Sequence, residues 1–445
     1  MFLKRVLIVL GILGVVFVPQ ARAQIDNLTN MSAEWVRLAN RNAATDAADI
    51  VVYNPAGLAS LSDGFHLNVS NQTLFRKPQH EFVDPITSGP VSFEQDDPDW
   101  FMPNVYAAYT KDRWSVFTGI YIPGNGASLD YPDGSITTRL IGLELIQEIN
   151  QQIFDAFGVE NAYTALANES IEASSLYLTG TIGGTYRVTD IVSLAAGVRY
   201  IRAENDIEGE LTVTGGILGE MTPDQQFVVD VDQSADGWGF VLGIQVVPVE
   251  DLVLALRYES EVNLNFENDV HGSDNLGIFI DGEMNHRDFP AMIGFGVSYQ
   301  ITPELRGEAD FNWFFQENAD WGRSETGERI SDMAGDVWSW GLSAAYQATP
   351  ELEVSAGFLY TDHLWDDMDG YFQSATGAIE TLYSDNWNLS TGIGYLIRPG
   401  IRLNLGVAFT IWEDETILIN AGPLTIPVKT ENSTTTAAVG VDISF

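Results

Sequence analysis

Two arginines carry the sharpest chemical suggestion in this sequence. Arg199 and Arg257 both fall on the polar parity of alternating segments, where an inward guanidinium could receive a carboxylate. A carboxylate entering a low-dielectric interior needs a cation or a proton, because an isolated buried charge is costly. Glu259 and Glu261 share the parity of Arg257 and compete for its guanidinium. Arg199 therefore reads as the better carboxylate partner, and Arg257 as chiefly a member of a structural ion pair. Other chemistry finds little footing. The five histidines, His66, His80, His271, His286 and His363, are scattered. No Gly-x-Ser-x-Gly, phosphate loop or His-rich metal spacing accompanies them. The absence of cysteine removes thiol catalysis, disulfides and Cys-ligated metal. Asp366-Asp367-Met368-Asp369-Gly370 offers oxygen ligands without calcium-loop spacing and reads as solvated loop. His363 beside Asp362 reads as a solvated pair. No catalytic residue, metal or cofactor is expected.

These side chains need elements to hold them. The 445 residues carry 62 Asp+Glu against 21 Lys+Arg, a formal net charge of −41. That balance argues against nucleic acid, whose phosphates require basic neutralisation. Aromatics at 11% and abundant β-branched residues argue against an acidic disordered chain. Lys4 and Arg5, the apolar run Val6 to Val18 and the Ala21-Arg22-Ala23 site read as a secretory signal over residues 1–23. Its removal takes away Lys4, Arg5 and Arg22 and no acid, which moves the charge from −41 to −44. No later run of ~20 apolar residues offers a helical membrane span.

Period-two alternation fills the rest. Leu252, Leu254, Leu256, Tyr258, Val262, Leu264 and Phe266 share one parity, and Arg257, Glu259, Glu261, Asn263 and Asn265 the other. Such a run is far longer than the ~5–6 residues usual for soluble strands. The pattern recurs in Leu305–Phe315, Leu352–Tyr360, Ile401–Ile411 and Ala437–Phe445. Six tight turns, such as Thr302-Pro303-Glu304 and Arg398-Pro399-Gly400, alternate with seven long polar stretches near 78–100, 124–172, 203–228, 267–286, 316–335, 364–382 and 413–433. Thirteen connections imply fourteen strands. An even count, with short connections at one end and long ones at the other, predicts an all-β, 14-stranded antiparallel transmembrane barrel over residues 64–445.

Residues 24–63 do not alternate. A barrel this wide cannot fill its interior with its own side chains, so the simplest place for this prefix is the lumen. The prefix runs through an Ala/Asp-rich stretch to Tyr53-Asn54-Pro55-Ala56-Gly57-Leu58, where Pro55 fixes φ and Gly57 permits a tight bend. This stretch resembles the hatch signature of the FadL-type outer-membrane transporters of long-chain fatty acids and hydrocarbons, and the resemblance extends over the whole mature chain. It implies a bacterial outer-membrane protein with Asn54, Pro55, Ala56 and Gly57 in an N-terminal hatch. It also implies passive uptake of hydrophobic compounds, with long-chain fatty acid as the leading ligand. Ligand would be captured at the loops, held in a lumen pocket above the hatch, and released sideways where a strand kinks inward. The expected partners are a hydrophobic small molecule, outer-membrane lipid and lipopolysaccharide, and the chain is expected to be a monomer.

Two further features bear on that route. The segment Trp114 to Pro123 alternates poorly and ends in Pro123-Gly124, so Gly119, Pro123 and Gly124 mark the candidate lateral gap. Within loop 124–172, Leu140 to Phe157 has helical period, with Ile141, Leu145, Ile149 and Ile153 four apart and Phe154 beside them. That stripe must be buried against other loops or against a hydrophobic ligand, which makes Leu145, Ile149, Ile153 and Phe154 candidate capture contacts. Strand rise and tilt place Arg257 about 13 Å and Arg199 about 23 Å above the short-turn end, so a descending ligand would meet them in turn. Rival readings are an importer of aromatic or aliphatic hydrocarbons, an open porin, and an outer-membrane lipase.

Overall fold

The computed structural model describes residues 29–95, 98–124, 127–216, 223–324, 326–374, 380, 384–421 and 424–445. The signal expected over residues 1–23 lies outside them. In chain order the strands are β1 (Gly64–Arg76), β2 (Gln79–Val83), β3 (Pro90–Glu94), β4 (Asp99–Lys111), β5 (Trp114–Tyr121), β6 (Ala127–Tyr131) and β7 (Ala165–Arg187). They continue with β8 (Val192–Thr214), β9 (Gln225–Val249), β10 (Leu252–Glu259), β11 (Asn265–Val270), β12 (Met284–His286), β13 (Ala291–Thr302) and β14 (Leu305–Phe315). The last are β15 (Val337–Gln347), β16 (Leu352–His363), β17 (Asn386–Arg398), β18 (Ile401–Trp412), β19 (Glu415–Ala421), β20 (Leu424–Glu431) and β21 (Ser433–Ser444).

Fourteen of these form one antiparallel ring, in the order β1, β4, β5, β7, β8, β9, β10, β13, β14, β15, β16, β17, β18, β21. It closes where His66 of β1 faces Ser444 of β21. Phe65 and Phe445 exchange backbone hydrogen bonds of 2.7 and 3.0 Å at the seam. Closure leaves no edge, which a membrane requires because lipid offers nothing to an unpaired N–H or C=O. Along each strand the exposed face is apolar, as in Val116, Ile182, Leu194, Ile244, Leu342 and Phe409. Tyr109, Trp114, Tyr346 and Tyr395 lie outward near the short turns, and Tyr200, Trp238, Trp340 and Trp387 toward the other end. Aromatic girdles at both interfaces account for that placement.

Three of the expected loops are largely strand. The polar stretch 203–228 belongs mostly to β8 and β9, which run on together as far as Val213 opposite Gln225. A 25-residue strand such as β9 climbs about 60 Å, far past the ~25 Å apolar band. Above that band both faces are free of lipid, so the outer face is polar and the sequence there looks like loop. Residues 78–100 and 413–433 contribute β2, β3, β19 and β20 to a separate four-stranded sheet. In the 124–172 stretch, β6 precedes a helix over Ile136–Phe157, one turn longer than its apolar period suggested. Ser135 caps it, accepting from the Thr137 and Thr138 amides. The acidic run 366–370 leads into a short helix, Met368–Ser374.

The alternation of 252–266 is not one strand. β10 ends at Glu259 and β11 begins at Asn265. From Glu259, opposite Val241, to Glu267, opposite Ser234, the chain takes eight steps where β9 takes seven. That extra residue reverses the facing of everything above it. Ala255, Arg257 and Glu259 are buried below the break; Val262, Leu264 and Phe266 are buried above it. The apolar parity thus faces lipid in the lower half and the interior in the upper half.

The lipid-facing assignment has a direct test. Ile244 lies five residues above the β9–β10 turn on the outer face, so Ile244→Arg should destabilise the barrel by about 2–4 kcal/mol in denaturant titrations in vesicles. Gln226→Lys, near the far end of the same strand, should change stability by less than ~0.5 kcal/mol.

Candidate functional site

Residues 29–61 lie inside the ring, held by polar contacts to inward strand residues. The helix Ala33–Leu38 begins at Ser32, whose hydroxyl accepts from Trp35 N and donates to Asp49 at 2.8 Å. Arg37 pairs with Glu353 of β16 at 2.7 Å, and its carbonyl accepts from Ser355 at 3.0 Å. Asp310 of β14 accepts from the amides of Arg41 and Asn42 at 2.7 and 2.8 Å, and Glu308 from Ala43 at 2.9 Å. Arg41 pairs with Asp46 and Asp49, and Arg306 of β14 reaches Asp46 at 3.0 Å. Glu34 and Asp442 share the amides of Asn68 and Asn404, which donate to both carboxylates. The inward charges of β14, β16 and β21 are therefore matched to this segment as much as to one another.

The Asn54–Gly57 stretch links the short helix Ile50–Tyr53 to a 3-10 turn, Pro55–Ser60. The Asn54 side-chain amide donates to Ala44 O at 3.2 Å and to Gln245 of β9 at 2.9 Å. Pro55 O accepts from Thr185 of β7 at 2.6 Å. A Cβ on Gly57 would stand 2.8 Å from Ala44 O and 2.7 Å from the Asn54 amide nitrogen, so only glycine allows the turn to close this tightly. Ala56 is fully buried.

Above this segment the mouth divides into two halves. Over β7–β13 the interior is apolar: Tyr177, Ile201, Val262, Leu264, Phe266 and Phe289 join Trp321, Met333, Tyr371 and Phe372 from the long connections in one buried cluster. Over β14–β18 and β21 lies a cavity of about 120 Å³ with mixed walls, in which Ser339, Asn386, Asn388 and Thr410 stand among Trp35, Leu74, Phe314, Val337 and Leu359. His363 also lines that cavity, so it does not form the solvated pair with Asp362 that adjacency suggested; neighbours on a strand face opposite ways.

Arg199 and Arg257 meet in one network rather than at two levels. Arg199, fully buried, is ion-paired with Glu259, donates to Ser260 O at 2.6 Å and lies 5.4 Å over the Phe289 ring. Arg257 donates to the Val52 carbonyl and to Met292 Sδ, with Nε 3.5 Å from Glu259. The expected free Arg199 does not exist here, because Glu259 reaches it first. Gly239, opposite Arg199 on β9, clears the way: a Cβ there would sit 3.2 Å from the Arg199 Nε. That inward glycine was the sequence signal for the contact.

The helix stripe is taken up by protein. Leu145 and Ile149 are buried in a cluster with Tyr163, Leu211, Phe227 and Val229; Ile153 lies at its margin and Phe154 is exposed. Packing on the upper β8–β9 hairpin, rather than an open groove, accounts for the stripe.

The wall is interrupted where Pro123 and Gly124 follow β5. β5 pairs with β7 up to Tyr121 opposite Thr179, and β6 resumes at Ala127 opposite Ser175. On the other side, β4 pairs with β5 only from Val105 down, so its residues 99–104 have no β5 partner. Pro103 lies in that stretch, as suits a strand edge. Leu74, Met102 and Ile122 form a small buried cluster beside it. Gly119 lies lower in β5, where a Cβ would stand 2.8 Å from the Tyr106 ring. Tyr121, the last residue of β5, sits beside Arg199. Removing one member of the buried pair leaves its partner uncompensated, so Arg199→Ala should cost about 3–5 kcal/mol in denaturant titrations. Arg199→Ala with Glu259→Leu should recover much of that loss.

The profile of the family described as outer membrane protein transport protein (OMPP1/FadL/TodX) matches residues 161–445. Outer membrane protein P1 of Haemophilus influenzae is 22% identical over 384 residues, covering 75% of this chain and 74% of that protein. Among solved structures, a Pseudomonas aeruginosa FadL homologue is similar with TM-score 0.63 and 14% identity, over 96% of this chain and 100% of that one. The P. putida toluene transporter TodX follows at TM-score 0.60 and 15% identity, over 92% and 97% of the two chains. The Ralstonia pickettii toluene transporter TbuX gives 0.56 and 14% identity, over 90% and 94%. The chain therefore belongs to the OMPP1/FadL/TodX family, outer-membrane channels that transport hydrophobic compounds, a family of transporters rather than enzymes.

Proposed function

We propose that this protein carries long-chain fatty acids and similar apolar molecules passively across the outer membrane. Ligand enters the apolar half of the mouth, descends toward the Arg199–Glu259 layer and leaves sideways beside Tyr121. Residues 24–63 act as a hatch across the aqueous path. The observation that carries this reading is the stretch 99–104 of β4, which pairs with β1 but has no partner on its β5 side, beside the break after β5. Unpaired backbone at membrane depth is tolerated only where it lines a cavity, and a channel that discharges into lipid needs such an opening. An open porin does not.

A second reading, uptake of neutral hydrocarbons, is favoured by the engagement of both Arg199 and Arg257 within the protein. A ligand without charge asks nothing of them.

Lateral exit is tested at the break itself. Residues 122–126 span a distance that three residues, 176–178, cover on β7. Deleting Pro123 and Gly124 matches the two counts and should let β5 run into β6. Uptake of labelled oleate and hexadecane should then drop to the level of cells lacking the protein, with the folded barrel still heat-modifiable on gels. Undiminished uptake refutes lateral exit. The hatch is tested by deleting residues 24–63, which should leave a folded barrel with raised planar-bilayer conductance; unchanged conductance removes the plug role.

A further inference from the structure

Two carboxylates share one pair of hydrogen-bond donors where the N-terminal helix meets the seam of the wall. Glu34 projects from the helix Ala33–Leu38, and Asp442 stands near the end of β21. The side-chain amide of Asn68 on β1 donates to Glu34 Oε1 at 2.8 Å and to Asp442 Oδ1 at 2.8 Å. That of Asn404 on β18 donates to the same Glu34 oxygen at 2.5 Å and to Asp442 Oδ2 at 2.8 Å. Glu34, Asn68 and Asn404 are fully buried, and no donor reaches Glu34 Oε2. Two inward glycines bring the helix this close: a Cβ on Gly406 would stand 2.8 Å from Arg37 N, and one on Gly440 2.8 Å from Ala33 Cβ.

No cation answers the two acids. Arg402 stands directly opposite Asp442 in the ladder, yet its guanidinium is turned to Glu353 at 3.4 Å. Arg37, on the helix itself, takes Glu353 at 2.7 Å. Arg41 takes Asp46 and Asp49, and Asp49 adds a further negative charge on the Glu34 side. His66, two residues below Asn68 on β1, is hydrogen-bonded to Ser444 and to Ser62 O. Among the described residues neither Glu34 nor Asp442 belongs to an ion pair. Two ionised carboxylates that share their donors out of water repel, and one proton between them relieves it. Burial, then the charges of Asp442 and Asp49, holds the Glu34 carboxyl well above the usual carboxylate range.

We propose that Glu34 and Asp442 form a proton-binding site that fastens the N-terminal helix to the seam strands β1, β18 and β21. The proposal rests on the reading of residues 24–63 as a hatch and adds what regulates it. With one proton held, Glu34 accepts from both amides and donates to Asp442, so one hydrogen-bonded ring joins the helix to three strands. When the proton passes to water by way of Asp442, which is only partly buried, two negative charges face each other and the same geometry repels. A carboxyl whose pKa is raised on docking favours the docked helix at low pH. That advantage is lost as pH climbs from the ordinary carboxylate value of ~4.3 through the raised one. Low pH locks the hatch and high pH loosens it.

Planar-bilayer conductance of the full chain should rise between about pH 6 and about pH 9.5, since one linked proton shifts the docking equilibrium by up to about tenfold per pH unit. Glu34→Gln keeps an acceptor for both amides and a permanent donor to Asp442, so it should hold the low conductance across that range. Infrared spectra of the wild type at neutral pH, minus those of the variant, should show the C=O stretch of an un-ionised carboxyl. That band reports the proton whatever the hatch does. A flat wild-type conductance profile overturns the proposal without any variant, and so does a folded Glu34→Gln protein that keeps the wild-type pH dependence. Absence of the carboxyl band from the difference spectrum overturns it too and leaves the hatch reading standing. Unchanged conductance on deleting residues 24–63 overturns the hatch reading, and the fastening with it.

Discussion

A wall in lipid has no outside partner for its backbone, and this constraint orders the rest of the molecule. Every N–H and C=O at membrane depth must find another strand, so the ring closes on itself through β1 and β21. Closure at fourteen strands leaves an interior wider than the wall's own side chains can fill. Something must occupy it, and residues 29–61 do. Because the ladder is obligatory, its lapse above Val105 of β4 and beyond Tyr121 of β5 is a departure that the stability of the wall does not explain.

The interior solves a second problem, that of charges held out of water. Asp310, Glu308 and Glu353 would be costly facing an empty channel wall crowded with other carboxylates; instead they take backbone amides or guanidiniums from the N-terminal segment. Glu259 links two arginines, one near the wall break through Tyr121 and one bound to the Val52 carbonyl. Wall break and N-terminal segment thus share one polar layer. A movement of Val52 would change what Arg257 donates to, and through Glu259 the setting of Arg199.

How much of this was legible in the sequence depends on what each signal measures. Period two identified the wall, because lipid on one side and polar interior on the other make strict alternation. It misread 252–266, since an apolar-out strand below a bulge and an apolar-in strand above it produce the same string of letters; only the burial of Val262, Leu264 and Phe266 shows the reversal. It misread 203–228 because strands above the membrane lose their lipid-facing apolar residues. The Asn54-Pro55-Ala56-Gly57 turn was visible as a motif, yet Gln245 and Thr185, which hold it, are far away in sequence and carry no matching signal. Parity put Arg199 inside and could say nothing about its partner.

The charge of the chain bears on how a fatty-acid anion could reach such a mouth. On the exposed face of the long strands, Asp206, Asp232 and Asp269 stand opposite one another, as do Glu208 and Asp230. His271 lies against this row, and its hydrogen bond to Asp230 at 2.5 Å raises its pKa. An approaching carboxylate still meets net repulsion, but only within the Debye length of ~8 Å at physiological salt. Against that, each buried methylene of the tail contributes about 0.8 kcal/mol, so a long tail outweighs the rim many times over and a short one does not. Affinity for such an anion then comes chiefly from its tail. The acidic rim in turn sets a lower limit on the chain length of any carboxylate that enters.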